Sequence, residues 1–346
     1  MTDATGPGTP TPTRSRRPHV PRVPLVPRVA RVHRRRGTAR VRTLVALGDL
    51  MLDVVVRAAT PLEHASDVPG EVRFRQGGSA ANVVRSFVRL GGHGGLICSV
   101  GRDGWGERLV AALRGDGADV RAVAVRGATG RLVAIVDDRG ERSFVTERGA
   151  ADGLRPEDIR PSWLRGVGVL HVPAYSLFHQ PLGAAAQRAA EVAHTAGALV
   201  SVDLASAGPL RAFGRDAAIA AIGVLAPDIL FANRDEVAAL TGARGRSLVT
   251  LLGIAPVVVV KEGADGCRIL WRDPSTGEPQ RLDIATTPIA AVDTTGAGDA
   301  FAAGFLYALL GSPGSTRDAG VFRRAALAGH RSASDLLRRP RVDLGL

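Results

Sequence analysis

Residues 293–301, with the sequence DTTGAGDAF, place two glycines and an acid where an apolar run begins. The apolar side chains that follow recur at helical spacing and predict a helix over residues 296–310. Unpaired N–H groups and the positive dipole end of a helix N-terminus favour an anion. Gly296 and Gly298 would let the backbone approach a phosphate closely. Asp299 would repel a phosphate, but it could take a proton from a hydroxyl that attacks one, so the segment predicts phosphoryl transfer.

A second glycine-rich segment, QGGSAAN, lies about 215 residues upstream and opens another predicted helix. Gly77 and Gly78 would admit a ligand close to the backbone, and Asn82 offers both a donor and an acceptor to a hydroxyl. Asp53 lies at the start of a predicted strand, where a carboxylate can accept hydrogen bonds from neighbouring hydroxyls. A glycine turn with a helix cap and a surface acid are the alternative interpretations of these segments.

The two segments together resemble the two signatures of the PfkB (ribokinase-like) family of sugar and nucleoside kinases. The resemblance implies that Asp299 is the catalytic base. It implies that the backbone of Gly296, Ala297 and Gly298 forms the anion hole for the transferring phosphoryl group. It also implies a set of acceptor-binding residues formed by Asp53, Gly77, Gly78 and Asn82.

Asn233 and Glu236 match the N-x-x-E motif of this family, which is associated with magnesium and phosphate positioning. Because Mg²⁺ usually keeps several waters, Glu236 is expected to act on the metal through water. The same two residues also have the spacing of a helix capping box. The implied cofactors are ATP and Mg²⁺. K⁺ is a further candidate, because in several relatives the loop corresponding to Asp293 lies near a monovalent cation.

Lys261, the sole lysine of the chain, ends a run of four valines. With Gly263 and Gly266 it resembles the strand-to-turn element that approaches the nucleotide phosphates, although it could simply end a strand. Thr294 completes the candidate nucleotide contacts. Asp203 ends another predicted strand and matches a family position near the active cleft.

Apolar segments alternate with helical patterns over most of the chain, which predicts a parallel sheet covered on both faces. The resemblance implies a ribokinase-like fold, a three-layer α/β/α sandwich with a mostly parallel central sheet and a small β-sheet lid. The alternating segments 54–75 and 120–147 are the predicted lid, and the turn between residues 137 and 140 predicts a hairpin. The resemblance also implies a homodimer through this lid.

Positive charge is concentrated at the N-terminus. Residues 1–40 contain ten arginines and one aspartate, so they carry +9 of the net charge of +12. Seven of the 21 prolines lie there without periodicity, which predicts a disordered tail before a kinase domain over residues 41–346. Such a tail can bind nucleic acid or anionic lipid nonspecifically. A dispensable extension, or a translation start nearer Val41 or Met51, is the alternative.

The near-neutral body predicts no specific nucleic-acid partner. The chain shows neither an apolar run of membrane-spanning length nor a secretory apolar region, so a cytoplasmic protein is expected. Cys98 and Cys267 are expected to be buried reduced thiols.

The predicted function is transfer of the γ-phosphoryl group of ATP to a hydroxyl of a small sugar or sugar derivative. One alternative is a nucleoside kinase of the same fold, in which Phe74, Phe144 or Tyr175 would stack on the base. Another is a noncatalytic sugar-binding protein on a kinase scaffold.

Overall fold

The structure, a computed structural model, describes residues 42–137, 142–242, 248–291, 293–312, 318–339 and 343–344. The predicted tail, residues 1–40, lies outside the described residues, as does most of the predicted hairpin turn. No helix of the described residues is long and apolar enough to cross a membrane.

The described strands are β1 (Thr43–Leu47), β2 (Met51–Ala58), β3 (Gly70–Gly77), β4 (His93–Gly101), β5 (Asp119–Val125), β6 (Arg131–Val136), β7 (Arg142–Glu147), β8 (Val169–Pro173), β9 (Leu199–Asp203), β10 (Ile229–Asn233), β11 (Val257–Lys261), β12 (Cys267–Arg272) and β13 (Pro279–Ile284). The α-helices are α1 (Ser79–Arg89), α2 (Gly104–Gly115), α3 (Leu182–Thr195), α4 (Ala207–Phe213), α5 (Arg215–Val224), α6 (Arg234–Thr241), α7 (Ala297–Gly311) and α8 (Ala319–Arg338).

Nine strands form the central sheet, in the order β13-β12-β11-β10-β9-β8-β1-β4-β5. The seven strands from β11 to β5 are parallel, and the β12–β13 hairpin adds two antiparallel pairings at one edge. Apolar side chains on one face pack against α1, α2, α7 and α8, and those on the other face pack against α3 to α6. The predicted three-layer sandwich is therefore confirmed, and its inner strands are apolar because both of their faces are covered.

A second, smaller sheet has the strand order β3-β2-β6-β7 and is called the small sheet below. It includes the predicted segment 54–75 and the pairing of the predicted hairpin. The assignment of residues 120–125 to this sheet was wrong, because they belong to β5 and pair in parallel with β4. An edge strand of a central sheet is partly exposed on one face. Its polar and apolar residues therefore alternate in the same way as those of a strand in a small open sheet.

Two further features concern the elements around the inner strands. The segment between β9 and β10 forms two helices, α4 and α5, because Gly214 between them adopts φ of +93°. The β12–β13 hairpin was not predicted. Its outer strand is mostly polar and exposed, so it lacks the apolar run by which the other strands of the central sheet are recognised.

The parallel strands bring an acid, an amide and a lysine from distant parts of the chain to one edge of the sheet. Asp203 ends β9, Asn233 ends β10 and Lys261 ends β11. The register pairs Asn233 with Lys261 and Asp203 with Phe231. Ligands of open α/β sheets bind at this carboxyl edge, which is where α1 and α7 also begin.

Candidate active site

The two glycine-rich segments meet at Asp299, in the first turn of α7. One oxygen of its carboxylate accepts a hydrogen bond from the Oγ of Ser79 at 2.6 Å. The other accepts one from the Nδ2 of Asn82 at 3.0 Å. Gly78, directly before α1, adopts φ of +98°, and a Cβ there would lie 2.3 Å from the carbonyl oxygen of Asp49. Glycine at this position therefore allows α1 to begin close enough to hold Asp299.

The environment of Asp299 raises its pKa to about 6. Removal of water by burial is the largest cause, since it disfavours the charged carboxylate. The hydrogen bonds from Ser79 and Asn82 and the charge of Lys261 act in the opposite direction, whereas Asp203 raises the pKa further. A carboxylate poised in this way is ionised at neutral pH and still basic enough to accept a proton.

Positive charge lies directly beside the start of α7. Gly296 adopts a left-handed conformation with φ of +76°, and the helix follows with Ala297 and Gly298. A Cβ placed on Gly298 would lie 3.2 Å from the Nζ of Lys261, so the lysine reaches the glycine loop. The side chain of Lys261 is only 15% exposed. The loop thus combines backbone N–H groups, the helix dipole and an ammonium group, all of which favour an anion.

Lys261 forms a buried ion pair with Asp203, whose Oδ2 lies 2.5 Å from the lysine Nζ. Burial alone would lower the pKa of the lysine, but the charges of Asp203 and Glu236 outweigh burial and raise it. The residue also ends β11, as one of its two sequence interpretations predicts, and a contact to the nucleotide phosphates stays a prediction. The structure brings Asp203 and Lys261 together with Asp299, which they influence electrostatically.

Asn233 and Glu236 form a capping box at the start of α6. The Oδ1 of Asn233 accepts from the backbone N–H of Glu236 at 2.9 Å, and Glu236 accepts from both nitrogens of Asn233 at 2.7 Å. Glu236 is 1% exposed, and burial raises its pKa to about 7, with Asp203 adding to the shift. Capping leaves further lone pairs on its two oxygens, so it is compatible with a contact to a metal-bound water.

The other candidate nucleotide residues lie in turns. Gly263 and Gly266, both with positive φ, form the turn from β11 to β12. A Cβ on Gly266 would lie 2.1 Å from the carbonyl oxygen of Ile284, so the packing of β13 alone accounts for this glycine. Thr294 is exposed in the loop before α7, and its carbonyl accepts a hydrogen bond from the N–H of Ala297. Among the described residues, no group of three or more His, Cys, Asp or Glu forms a metal site by itself.

Asp53 lies on β2, opposite Arg75 of β3. A Cβ on Gly77 would lie 1.9 Å from its Oδ1, so Gly77 makes room for the carboxylate. Burial, followed by the charge of Asp49, raises the pKa of Asp53 to about 7, although Arg75 opposes the shift.

A cavity of about 610 Å³ lies between the small sheet, α1 and the loop before α7. Asp53, Asn82 and Gly296 line it, so the predicted acceptor residues and the glycine loop face one space. A separate, more open groove of about 450 Å³ lies between residues 285–287 and α8.

A network next to Ser79 was not predicted. The Oη of Tyr175 donates to the buried Asp49 at 2.9 Å and accepts from the backbone N–H of Ser79 at 3.3 Å. Arg148 lies over the ring of Tyr175, with its guanidinium carbon 5.2 Å from the ring centroid, and its Nη1 is 3.8 Å from Asp49. Asp49 could have been suspected, since an acid that follows a buried strand needs a partner.

The aromatic residues considered for base stacking have different surroundings. Phe74 packs on Trp105, with ring centroids 5.2 Å apart, and Tyr175 belongs to the network around Asp49. Phe144 lines the cavity with 56% of its surface exposed. The stacking role suggested for Phe74 and Tyr175 therefore has no support in the geometry.

Residues 41–340 match the sequence model of the pfkB family carbohydrate kinases. The chain is 34% identical over 274 residues to the ATP-dependent ribose-1-phosphate kinase of Halopiger xanaduensis, covering 77% of this chain and 84% of that protein. It is 29% identical over 288 residues to Fructokinase-1 of Oryza sativa subsp. japonica, covering 81% and 86%. The structure of adenosine kinase from Sinorhizobium meliloti aligns with a TM-score of 0.74 at 24% identity, covering 88% of this chain and 97% of that one. The chain belongs to the pfkB family of carbohydrate kinases, and it is a sugar kinase, a phosphotransferase with an alcohol group as acceptor.

Proposed function

We propose that this kinase transfers the γ-phosphoryl group of ATP to a hydroxyl of a small sugar or sugar derivative, with Asp299 as the catalytic base. The observation that carries this proposal is the position of Asp299. It is held by Ser79 and Asn82 within the first turn of a helix whose N-terminus is adjoined by Lys261. Phosphoryl transfer to an alcohol needs a base next to a positively charged pocket.

In this mechanism the ionised Asp299 orients the acceptor hydroxyl and takes its proton. The N–H groups of Gly296, Ala297 and Gly298, the dipole of α7 and Lys261 stabilise the charge on the phosphoryl group. Asp203 keeps Lys261 protonated and in place.

The donor set at the carboxyl edge suits a hydrated divalent cation, because Glu236 has free lone pairs. The carboxylates of Asp203 and Asp235 also act on Glu236, and Lys261 is the cation that opposes them. Glu236 would hold Mg²⁺ through water, and the ion would offset the charge of the ATP phosphates. The side chain of Asp293 already pairs with Arg75 at 3.2 Å, so K⁺ at this loop would have to bind backbone carbonyl groups. Asn233, Gly263, Gly266 and Thr294 remain candidates for nucleotide contacts.

On the acceptor side, Asp53 would accept hydrogen bonds from two adjacent hydroxyls, and Asn82 would bind a third group. Gly77 and Gly78 allow the acceptor close to the backbone. The small sheet would cover the bound sugar as a lid. Its other face exposes apolar side chains, including Val72 at 57% and Val145 at 65%, which supports a homodimer through the lid.

A nucleoside acceptor is less well supported. Of the three aromatic residues considered, Phe144 alone lines the cavity, near its outer end on β7. The similarity to adenosine kinase is at 24% identity and reflects the fold. The relatives at higher identity are named for a sugar and a sugar phosphate.

The test is acceptor-dependent formation of ADP, measured over ribose, fructose, adenosine and their phosphorylated relatives. Asp299→Asn should lower kcat about 10²- to 10⁴-fold, because a general base contributes a factor of this size. Asp216→Asn is a matched control, since Asp216 is fully exposed on α5. An Asp299→Asn enzyme that keeps more than about a tenth of the wild-type kcat would disprove the assignment.

A further inference from the structure

The cavity that contains Asp53 has an unusual distribution of charge. Its walls carry six arginines from four different elements: Arg57, Arg73, Arg75, Arg85, Arg89 and Arg339. The acids that line the same cavity are Asp53, Glu71 and Asp293. The arginines therefore exceed the lining acids by three, even when every acid is ionised.

The arginines extend away from Asp299. On β2, Arg57 is four residues beyond Asp53, or about 13 Å along an extended strand. Arg75 is opposite Asp53 and Arg73 is opposite Val55 in the register of β2 and β3. The cavity thus has the carboxylate of Asp53 beside the guanidinium group of Arg75 at its inner end, and the guanidinium groups of Arg73 and Arg57 successively further out.

Helix α1 shows the same gradient. Arg85 and Arg89 follow Asn82 by three and seven residues, so they lie on the same face of the helix. They are about 4.5 Å and 10 Å further along the helix axis than Asn82. Arg85 is paired with Asp116 of the loop after α2. On the small sheet, Arg73 is paired with Glu71, Arg75 is paired with Asp293, and both also contact a carboxylate of the C-terminal segment.

A carboxylate from the C-terminal segment already binds to these arginines. Asp343 accepts from the Nη1 of Arg73 and from the Nε of Arg75, both at 2.9 Å. The segment is held at the edge of the small sheet, where the N–H of Leu344 donates to the carbonyl of Phe74 at 2.7 Å. Two guanidinium groups on one face of β3 are therefore spaced so that a single anionic group can bridge them.

We propose that the acceptor of this kinase is a phosphorylated sugar whose phosphate binds the small-sheet arginines, in the place that Asp343 takes in the structure. This inference rests on the proposed function, since the free hydroxyl of the same sugar would lie at Asp299. A phosphate fits better than a neutral group because it offers three oxygens to guanidinium groups from different strands. Arg57, Arg73 and Arg75 are the residues that would discriminate the phosphorylated acceptor.

The phosphorylated sugar would react in the same way as any other hydroxyl acceptor. The hydroxyl oxygen forms a bond to the γ-phosphorus of ATP, and the bond between that phosphorus and the bridging oxygen of ADP breaks. The hydroxyl proton passes to Asp299, and the product is a sugar bisphosphate.

The first test compares three kinds of acceptor: ribose and fructose, their 1-phosphates, and gluconate as a carboxylate. The 1-phosphates should have a kcat/KM about tenfold to a hundredfold above the neutral sugars, the factor expected for hydrogen bonds to charged groups. Efficient turnover of neutral sugars or gluconate without that of the phosphates would overturn the inference and leave the kinase function intact.

Calorimetric titration of ribose 1-phosphate and fructose 1-phosphate without ATP gives a separate readout. Absence of turnover with every acceptor would contradict the proposed function, whereas absence of binding of both phosphates would contradict the inference.

The second test uses Arg57→Gln and Arg73→Gln, which are at exposed positions and should leave the fold intact. Each should raise KM for the phosphorylated acceptor about tenfold or more while KM for ATP stays constant. Arg165→Gln is the matched control. This exposed arginine precedes β8 and so lies at the amino ends of the parallel strands, opposite the carboxyl edge. An unchanged KM in both cavity variants would overturn the proposal.

Asp343→Asn tests the competition directly. Removal of the carboxylate should lower KM for the phosphorylated acceptor and leave KM for a neutral sugar unchanged. A KM that does not fall would show that Asp343 and the acceptor phosphate do not share Arg73 and Arg75.

Discussion

The candidate active site has two sides, called walls below, that hold charge in different ways. On the α/β side, charged groups are buried and coupled, as in the pair formed by Asp203 and Lys261, whose side chains are 2% and 15% exposed. On the small sheet, the ion pair of Arg73 with Glu71 is 46% and 62% exposed. Water screens the second kind of pair and barely reaches the first. The buried wall is therefore suited to chemistry, and the exposed wall to tuning the affinity for an acceptor.

This difference has an energetic basis. Burial of two charges is costly, and the pair is tolerated because each group also meets other partners. Asp203 and Lys261 are linked electrostatically to Glu236 and Asp299, so a change in one member alters the protonation of the others. Exposed pairs contribute little by themselves, and each can be replaced separately.

The largest expected effect comes from breaking the buried pair. Lys261→Met leaves the carboxylate of Asp203 buried without its partner, so the free energy of unfolding should fall by about 3–5 kcal/mol. The double variant Lys261→Met with Asp203→Asn should recover much of this loss, since no unpaired charge remains. Urea unfolding of both variants and the wild type measures the coupling.

Arg188→Met is the matched control for this comparison, because its pair with Glu191 on α3 is exposed on both sides. It should unfold at nearly the wild-type urea concentration. If Lys261→Met were as stable as Arg188→Met, the distinction between the two kinds of wall would be wrong.

Asp53 lies on the boundary between the two walls. Its replacement should weaken the use of the acceptor and leave the binding of ATP unchanged. Asp53→Ala removes a charged acceptor of hydrogen bonds, so kcat/KM for the acceptor should fall about tenfold to a hundredfold. Affinity for ATP, titrated without acceptor, should not change. If the variant lost ATP binding and kept its KM for the acceptor, Asp53 would belong to the nucleotide side.

The pH dependence separates the inner residues from the arginines. Asp299, as the proposed base, must be ionised to act. Its pKa is raised to about 6, so kcat should fall about tenfold for each pH unit below this value.

The same shift in pKa affects stability. Because the pKa of the folded state lies above that of the unfolded state, Asp299 favours folding more at low pH, and this contribution decreases as the pH rises from about 4 to 6. Asp299→Asn should therefore gain stability relative to the wild type between pH 4 and pH 7. A constant difference in unfolding free energy over this range would contradict the raised pKa.

Tyr175→Phe should have a smaller effect. It removes the hydroxyl between Asp49 and Ser79, and Ser79 in turn holds Asp299, so kcat should fall severalfold, as for a hydrogen bond worth about 1 kcal/mol. Tyr307→Phe, the corresponding change at the other tyrosine of the chain, should leave kcat unchanged. A wild-type pH profile and kcat in Tyr175→Phe would show that the network does not position Asp299.

Sequence reasoning succeeded where a residue type is required by local chemistry. Gly78 before α1 marks a close approach to the backbone of Asp49, Gly296 before α7 marks a positive φ, and Asp299 lies in the first turn of the predicted helix. It failed for Ser79 and Tyr175, because their partners are more than 90 residues away and their residue types are common at helix starts and in loops. It also assigned residues 120–125 to the wrong sheet, since alternation shows that one face is exposed and not which sheet the strand joins. The arginine gradient of the cavity is visible only after β2, β3 and α1 are brought together.

The smallest expected effect is that of removing residues 1–40. This segment carries most of the net charge of the chain, whereas every candidate site residue lies at Asp53 or beyond, and the match to the kinase family begins at residue 41. Deletion should leave kcat, both KM values and the unfolding temperature unchanged within error. The charge of +9 is screened over about 8 Å at physiological salt, so any attraction of an anionic acceptor by the tail would appear only at low ionic strength. Measuring KM for the phosphorylated acceptor at two salt concentrations, with and without the tail, separates that long-range attraction from binding by the cavity arginines. A large loss of stability or activity in the truncated protein would instead make the tail part of the folded kinase.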